Sequence, residues 1–324
     1  MGATVPPTPP LPRAGLIGVG TMGRGIAGCL VRSGVPLTVS SRTRARAEEL
    51  LAAGAAWAAN GREVARAVEG GVIFTVLPEA VDVRRALFGR GGVVNGARPG
   101  TLVVDLSTVA PDQSRALAER LAPRGVRFLD APLGGSREAA ESGELLLYVG
   151  GPEEELRRAE PYLARFSRRV EHMGPVGAGS AMKLVNNLLT IAGLELNAEA
   201  LTLGEAMGLE RARLLEVLLA GGARSAMLER KRKLLESGEY PPAFRLSLAR
   251  KDLRLVERAA RTVHQQLPVA RQARRLFDRA VREGDGELDF SAIQETVRRL
   301  GPLAPASPKK DVNSGATGTG PRSA

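Results

Sequence analysis

Residues 15–23 read Gly-Leu-Ile-Gly-Val-Gly-Thr-Met-Gly, and they decide the fold that the sequence predicts. The apolar run 14–19 is typical of a buried strand, and residues 21 to about 33 are typical of a helix. A Gly-x-Gly-x-x-Gly pattern between strand and helix is the dinucleotide-binding fingerprint, because its glycines allow a tight turn, close backbone approach to a pyrophosphate and close helix packing. The residues expected to hold the cofactor here are Gly18, Val19, Gly20, Thr21, Met22 and Gly23.

The rest of the first half repeats the alternation of strand and helix. Five further apolar runs, each followed by a turn or a helix-like segment, lie at 35–40, 71–77, 101–106, 126–130 and 145–150. Continuous apolar strands separated by helices indicate a parallel sheet that is covered on both faces.

The pattern changes near residue 174, after which no strand is predicted. Residues 179 to about 207 predict one long helix that is apolar around much of its circumference and therefore buried. The fold class is an α/β Rossmann N-terminal domain with an all-α C-terminal domain, joined by this interdomain helix. The expected segments are a disordered lead (1–12), the NADP-binding domain (13–175), the dimerisation and substrate domain (176–302) and a disordered tail (303–324).

Composition excludes several classes of protein. The 46 Lys and Arg exceed the 35 Asp and Glu by 11, but the basic residues are spread along the chain and aromatics make up only 3%, which argues against a nucleic-acid partner. One cysteine and two histidines leave no expected metal site. Because no uncharged stretch approaches 20 residues, no membrane span is expected, and the simplest compartment is the cytoplasm.

The end of the second predicted strand bears on the choice of cofactor. An acidic residue here usually holds the ribose 2′-hydroxyl of NAD, whereas an arginine accommodates the 2′-phosphate of NADP. This chain has Ser41, Arg42 and Thr43, with no acid before Glu48. We therefore expect NADP(H) to be preferred over NAD(H).

Lys183 is the candidate catalytic residue. Every basic residue before it is an arginine, and lysine can shift its pKa and exchange a proton, which a guanidinium cannot. Asn187 lies four residues later, so both side chains share one helix face. The pair is expected to point into the cleft between the domains.

Five motifs in order resemble the β-hydroxyacid dehydrogenase family over about residues 14–300. They are the glycine motif, Asp105-Leu-Ser-Thr108, Asp130-Ala-Pro-Leu-Gly-Gly-Ser136, Gly177-Ala-Gly-Ser-Ala-Met-Lys183-Leu-Val-Asn-Asn187 and Lys251-Asp252. The family includes 3-hydroxyisobutyrate dehydrogenase, tartronate semialdehyde reductase and the glyoxylate/succinic semialdehyde reductases, and it implies homodimers or homotetramers. The motif details are most similar to those of the glyoxylate/succinic semialdehyde reductases.

The resemblance implies roles for individual residues. Lys183 matches the catalytic lysine, and Asn187 matches the asparagine that orients it or the substrate. The residues matched to the cofactor are Leu77, Pro78, Thr108 and Lys251, of which Lys251 closes over it from the helical domain. The residues matched to the substrate are Ser107, Thr108, Gly134, Gly135, Ser136, Phe244 and Asp252.

One motif departs from the family pattern. Gly134 replaces a serine that commonly contacts the substrate carboxylate, and Ser136 is expected to take its place, while the two glycines can form an anion-binding nest. The expected reaction is NADP(H)-dependent interconversion of a small carboxylate-bearing aldehyde or oxo acid and its hydroxy acid. Alternatives are oxidation of a 3-hydroxyisobutyrate-type substrate, imine reduction (against which Lys183 argues) and a non-catalytic nucleic-acid-binding relative.

Overall fold

The computed structural model describes residues 11–301. Most of the predicted lead and all of the predicted tail therefore lie outside the described residues. The strands are β1 (Ala14–Ile17), β2 (Leu37–Ser40), β3 (Ala56–Trp57), β4 (Val72–Thr75), β5 (Leu102–Asp105), β6 (Arg127–Asp130), β7 (Leu133–Gly134), β8 (Leu145–Gly150) and β9 (Ser167–Gly174).

Helices connect the strands and then make up the second half of the chain. Those of the first half are α1 (Thr21–Arg32), α2 (Glu48–Ala52), α3 (Gly61–Val68), α4 (Ala80–Phe88), α5 (Pro111–Leu121), α6 (Arg137–Ser142) and α7 (Glu153–Leu163). Those of the second half are α8 (Ala178–Asn187), α9 (Gly193–Ala206), α10 (Arg211–Ala220), α11 (Ala226–Ser237), α12 (Leu246–Thr262), α13 (Pro268–Arg282) and α14 (Ile293–Arg299). None of the described helices is both long and apolar enough to cross a membrane.

The strands form one sheet in the order β3-β2-β1-β4-β5-β6-β8-β7, with β9 paired to β8. Strands β1 to β6 are parallel, and β1, β2, β4 and β5 are buried along their whole length, as a sheet covered on both faces requires. The purely parallel prediction is wrong at one edge, because β8 runs antiparallel to β6 and β7. Strand β9 was not predicted. It contains Arg168, Arg169 and Glu171, and all of its residues are half-buried or exposed, so the sequence lacks the apolar run of a central strand.

One hydrophobic core lies on each face of the sheet, and a third fills the helical half. The predicted interdomain helix is present: α8 continues through a π-helical stretch, Leu188–Ala192, into α9. The expectation that this helix is buried is wrong along one side. Five apolar residues spaced at four or seven positions are each more than half exposed, namely Val185, Leu189, Leu196, Leu203 and Met207.

Candidate active site

The turn between β1 and α1 has the geometry of a phosphate cradle. Gly18 has a φ of +111°, and its N–H donates to the Ser40 carbonyl at 2.8 Å. A Cβ on Gly23 would lie 1.9 Å from the Gly18 carbonyl oxygen, so this position must be glycine for α1 to pack there. A Cβ on Gly20 would meet nothing within 4 Å.

Gly20 is also the N-cap of α1, and its backbone is extended, so any residue could adopt it. The fold itself therefore does not require glycine at this position, and the open space beside Gly20 can take a ligand. The first turn of α1 contains no acidic side chain, and a helix N-terminus with free N–H groups favours an anion. These residues fit the pyrophosphate of a dinucleotide.

The end of β2 lies beside this cradle, as predicted. Ser41 is half-buried, and Arg42 and Thr43 are exposed. The neighbouring Arg44 lies over the Trp57 ring, 5.8 Å from its centroid, so that guanidinium packs against the sheet edge. Arg42 directly follows this strand end and makes no ion pair within the described residues, so its guanidinium is available to a ligand group there.

Two loops at the carboxyl ends of β4 and β5 are tied together. The Leu77 N–H donates to Ser107 Oγ at 3.0 Å. Asp105 lies behind them: its Oδ1 accepts from Thr75 Oγ1 at 2.7 Å and from the Ser107 N–H at 3.1 Å. Burial raises the pKa of Asp105 to about 6, and its Oδ2 has no partner within the described residues.

Lys251 bridges these loops from the helical half. Its Nζ donates to the carbonyl oxygens of Pro78 at 3.0 Å and Thr108 at 3.1 Å. The structure thus brings the predicted residues Leu77, Pro78, Ser107, Thr108 and Lys251 together at one edge of the sheet. A second link between the halves joins Arg258 on α12 to Asp112 at 2.6 Å.

Asp130 at the end of β6 holds the first turn of α8. Its Oδ1 accepts from the Gly177 N–H and its Oδ2 from the Ser180 N–H, both at 2.7 Å. Burial raises the pKa of this carboxyl to about 6 despite those hydrogen bonds. A Cβ on Gly179 would lie 2.2 Å from the Tyr148 carbonyl oxygen, so the glycine-rich approach lets α8 start directly against the sheet.

Lys183 and Asn187 lie one helical turn apart on α8 and face α12. Asn187 Nδ2 donates to Asp252 Oδ2 at 2.7 Å, and Lys251 Nζ lies 3.0 Å from Asp252 Oδ1. Asp252 is 3% exposed, and its Oδ1 forms this ion pair with Lys251 without a hydrogen bond in the described residues. Asp252 is thus the shared partner of Asn187 and Lys251, and its expected place in the substrate pocket stays a prediction.

The pKa of Lys183 is lowered from the ordinary lysine value. Burial is the main cause, because it disfavours the ammonium, and the charge of Lys251 acts in the same direction. The Asp252 carboxylate opposes both by favouring the charged form. A half-buried ammonium with a lowered pKa is suited to giving up a proton.

The remaining predicted substrate residues are described by their local contacts. Gly135 has a φ of +139°, and Ser136 caps α6 by accepting from the Ala139 N–H at 3.4 Å. Phe244 is half-buried, with its ring edge-on to Phe290 at 5.4 Å between centroids. In the described part of the chain, none of the residues Gly134, Gly135, Ser136 and Phe244 hydrogen-bonds to Lys183, Asn187 or Asp252.

Sequence reasoning missed the roles of Asp105 and Asp130, although both stood inside quoted motifs. The sequence did contain a signal for these roles. Each aspartate is the last residue of a buried strand, where little water is available to solvate a carboxylate. No group of three or more histidine, cysteine or acidic side chains in residues 11–301 is arranged to hold a metal ion.

Both halves of the chain are similar to known proteins. Residues 13–174 match the family described as the NAD-binding domain of 6-phosphogluconate dehydrogenase, and residues 177–297 match the NAD-binding family of NADP-dependent 3-hydroxyisobutyrate dehydrogenase. A 2-(hydroxymethyl)glutarate dehydrogenase of Eubacterium barkeri is 34% identical, over 87% of this chain and 93% of the relative. A 3-sulfolactaldehyde reductase of Escherichia coli is 35% identical, over 87% and 94% respectively. The crystal structure of a 3-hydroxyisobutyrate dehydrogenase from Salmonella typhimurium superposes with a TM-score of 0.80 at 29% identity, covering 88% of this chain and 99% of the other.

Proposed function

The chain belongs to the β-hydroxyacid dehydrogenase family and is an NAD(P)-dependent oxidoreductase of hydroxy acids; from that premise we propose a specific reaction for it. The protein interconverts a small carboxylate-bearing aldehyde or oxo acid, such as a semialdehyde or glyoxylate, and the corresponding hydroxy acid. NADP(H) is the preferred cofactor, and Lys183 is the proton donor. The observation that carries the proposal is the position of Lys183 one helical turn from Asn187, whose side chain is held by the Asp252 carboxylate that also pairs with Lys251. The lowered pKa of Lys183 is consistent with this role.

Lys183 acts as the general acid of the reduction. NADPH, when bound, supplies the hydride that reduces the carbonyl carbon. The Lys183 ammonium stabilises the negative charge that grows on the carbonyl oxygen and delivers a proton to it. In the oxidative direction the neutral amine accepts that proton. Asn187, held by Asp252, keeps its place beside Lys183 on the same face of α8.

The other residues of the site bind the substrate and the cofactor and orient them. Gly135 has a φ of +139°, a conformation that glycine adopts freely, and turns with successive glycines can form anion-binding nests. Together with Ser107, residues 134–136 are expected to receive the substrate carboxylate. Two of the similar proteins are named for 2-(hydroxymethyl)glutarate and 3-sulfolactaldehyde, which supports an acidic substrate. Residues 18–23 and Arg42 hold the cofactor, and Lys251 closes the cleft over it.

The direct test is a substrate panel with NADPH, followed by absorbance at 340 nm. Glyoxylate, succinic semialdehyde, tartronate semialdehyde and methylmalonate semialdehyde are compared with butanal, which lacks an anionic group, and with a cyclic imine. The proposal predicts turnover that depends on the anionic group. Faster reduction of the imine would favour imine reductase activity, and turnover confined to hydroxy acids with NADP+ would favour the 3-hydroxyisobutyrate-type alternative.

Arg42 is expected to set the cofactor preference. Arg42→Ala should raise the KM for NADPH by about tenfold and leave the KM for NADH unchanged, because only NADPH carries the 2′-phosphate that the guanidinium meets. The matched control is Arg124→Ala, which removes an exposed arginine just before β6, at the amino-terminal end of a strand and not at the carboxyl end where Arg42 lies. A parallel change in both cofactors, or a wild-type preference for NADH, would exclude this role.

The exposed apolar side of the interdomain helix supports self-association into a homodimer or homotetramer. Five residues with helical spacing place a stripe of Leu, Val and Met in water, which is the type of surface that a second copy covers. Light scattering should give a mass of two or four chains of 34.2 kDa. A mass of one chain at micromolar concentration would exclude it.

A further inference from the structure

The helical half contains a fully buried ion pair that lies outside the site described above. Lys231 Nζ on α11 donates to Asp289 Oδ2 at 2.8 Å, and the two residues are 5% and 0% exposed. Removing two charges from water costs several kcal/mol per ion unless hydrogen bonds satisfy them. A buried ion pair of this kind therefore indicates that the segments it joins are held in fixed positions.

Asp289 is satisfied by backbone as well as by Lys231. Its Oδ2 also accepts from the N–H groups of Ala243 at 3.3 Å and Phe244 at 3.0 Å. Its Oδ1 accepts from the N–H of Ser291 at 3.1 Å and from Ser291 Oγ at 2.7 Å. One carboxylate thus joins α11, residues 243–244 and the short helix Phe290–Ala292.

The same three segments fix Phe244. The Phe290 N–H donates to the Phe244 carbonyl at 2.9 Å, and the two rings meet edge-on at 5.4 Å between centroids. Lys231 Nζ lies 5.0 Å from the centroid of the Phe290 ring, so the cation also supports the ring on which Phe244 packs. Both the backbone and the ring of Phe244 depend on the Lys231–Asp289 pair.

Phe244 lies two residues before α12, the helix that carries Lys251 and Asp252. A shift of the 243–244 backbone would move the aromatic ring relative to the cluster that holds Lys183 and Asn187. We propose that Lys231 and Asp289 are positioning residues that hold Phe244 against the substrate and thereby set the affinity for it. This inference rests on the proposed function and on the role of Phe244 in the substrate pocket.

Lys231→Met tests the proposal in the full-length enzyme. The variant leaves Asp289 with its four backbone and hydroxyl donors, so the carboxylate stays hydrogen-bonded while its hold on α11 is lost. We expect the KM for the best aldehyde of the panel to rise about tenfold, a loss of about 1.4 kcal/mol, with kcat and the KM for NADPH nearly unchanged. Hydrogen exchange at the Ala243 and Phe244 amides should accelerate, and this readout needs no activity.

The matched control is Arg274→Met, which removes the ion pairs of Arg274 with Glu257 and Asp278 in the same helical half. A purely structural role predicts that both variants lose thermal stability and that neither changes the substrate KM. If Lys231→Met behaves like this control in KM and in amide exchange, the positioning role is wrong. Should Lys231→Met fail to fold, Lys231→Gln, which keeps an N–H donor, undergoes the same two measurements.

A double-mutant cycle distinguishes an effect through Phe244 from a direct one. In a Phe244→Ala background, Lys231→Met should add little to the KM, because the group that it positions is already absent. Additive effects would contradict the proposal. If the wild-type enzyme reduces no member of the panel, the proposed function fails, and the exchange of the Phe244 amide still decides whether Lys231 holds that segment.

Discussion

Replacing Lys183 by alanine is expected to lower kcat for aldehyde reduction by about 10²–10⁴-fold, the usual contribution of one positioned general acid. The KM for NADPH should change by less than about twofold, because Lys183 acts on the substrate oxygen and not on the cofactor phosphates. The helix itself should tolerate the change, since alanine is the best helix former and Asp130 holds its first turn through backbone N–H groups.

The appropriate control is Lys233→Ala, which removes an exposed lysine from α11 and should leave both constants unchanged. Lys183→Arg serves as a second comparison: it preserves the positive charge but holds the proton too tightly to deliver it, so its kcat should also be low. Near-wild-type turnover in Lys183→Ala would remove this residue from the chemistry.

Gly20→Ala is expected to raise the KM for NADPH by about 10²-fold, a loss of about 2.8 kcal/mol of cofactor binding, because the added methyl group occupies the space that the pyrophosphate needs. The added methyl meets no protein atom within 4 Å and the backbone is extended, so the fold and its thermal stability should be unchanged. Circular dichroism and a thermal melt test whether the fold and its stability are unchanged. Steady-state kinetics at varied NADPH concentration measures the KM for the cofactor.

Alanine substitutions at two other glycines serve as comparisons for Gly20→Ala. Gly222→Ala, also in open space but far from the turn in sequence, should change neither stability nor KM. Gly23→Ala should destabilise the Rossmann half outright, because its Cβ would lie 1.9 Å from a backbone oxygen. An unchanged KM for NADPH in Gly20→Ala would contradict the cofactor-binding role of the turn.

The strands that could be predicted from sequence were those buried on both faces. In a chain that alternates strands and helices, an apolar run such as Val72–Thr75 predicts a buried strand. Strand β9 has no such pattern, because it mixes polar and charged residues with Val170 and Met173 and is half-buried or exposed throughout. The apolar circumference of the interdomain helix was interpreted as burial within one chain. A sequence does not distinguish a core face from an exposed apolar face, because both exclude polar side chains in the same way.

The site could be predicted to the extent that it depends on local spacing. The Lys183–Asn187 pair follows from one turn of helix, and the glycine turn follows from strand and helix signals on either side. The partner of Asn187 could not be predicted this way, since Asp252 reaches it from a helix 65 positions away in the sequence. The Lys231–Asp289 pair likewise forms through tertiary packing, and no periodic pattern in the sequence predicts it.

The central claim, that Lys183 carries the proton of the reaction, is tested most directly by the pH dependence of kcat in both directions. Reduction needs the ammonium and oxidation needs the amine, and burial lowers the pKa of this group from the ordinary value of 10.5. With rising pH, kcat for reduction should fall and kcat for oxidation should rise through one shared ionisation below that value. Rates that are independent of pH in both directions, or an ionisation that persists unchanged in Lys183→Ala, would contradict the claim.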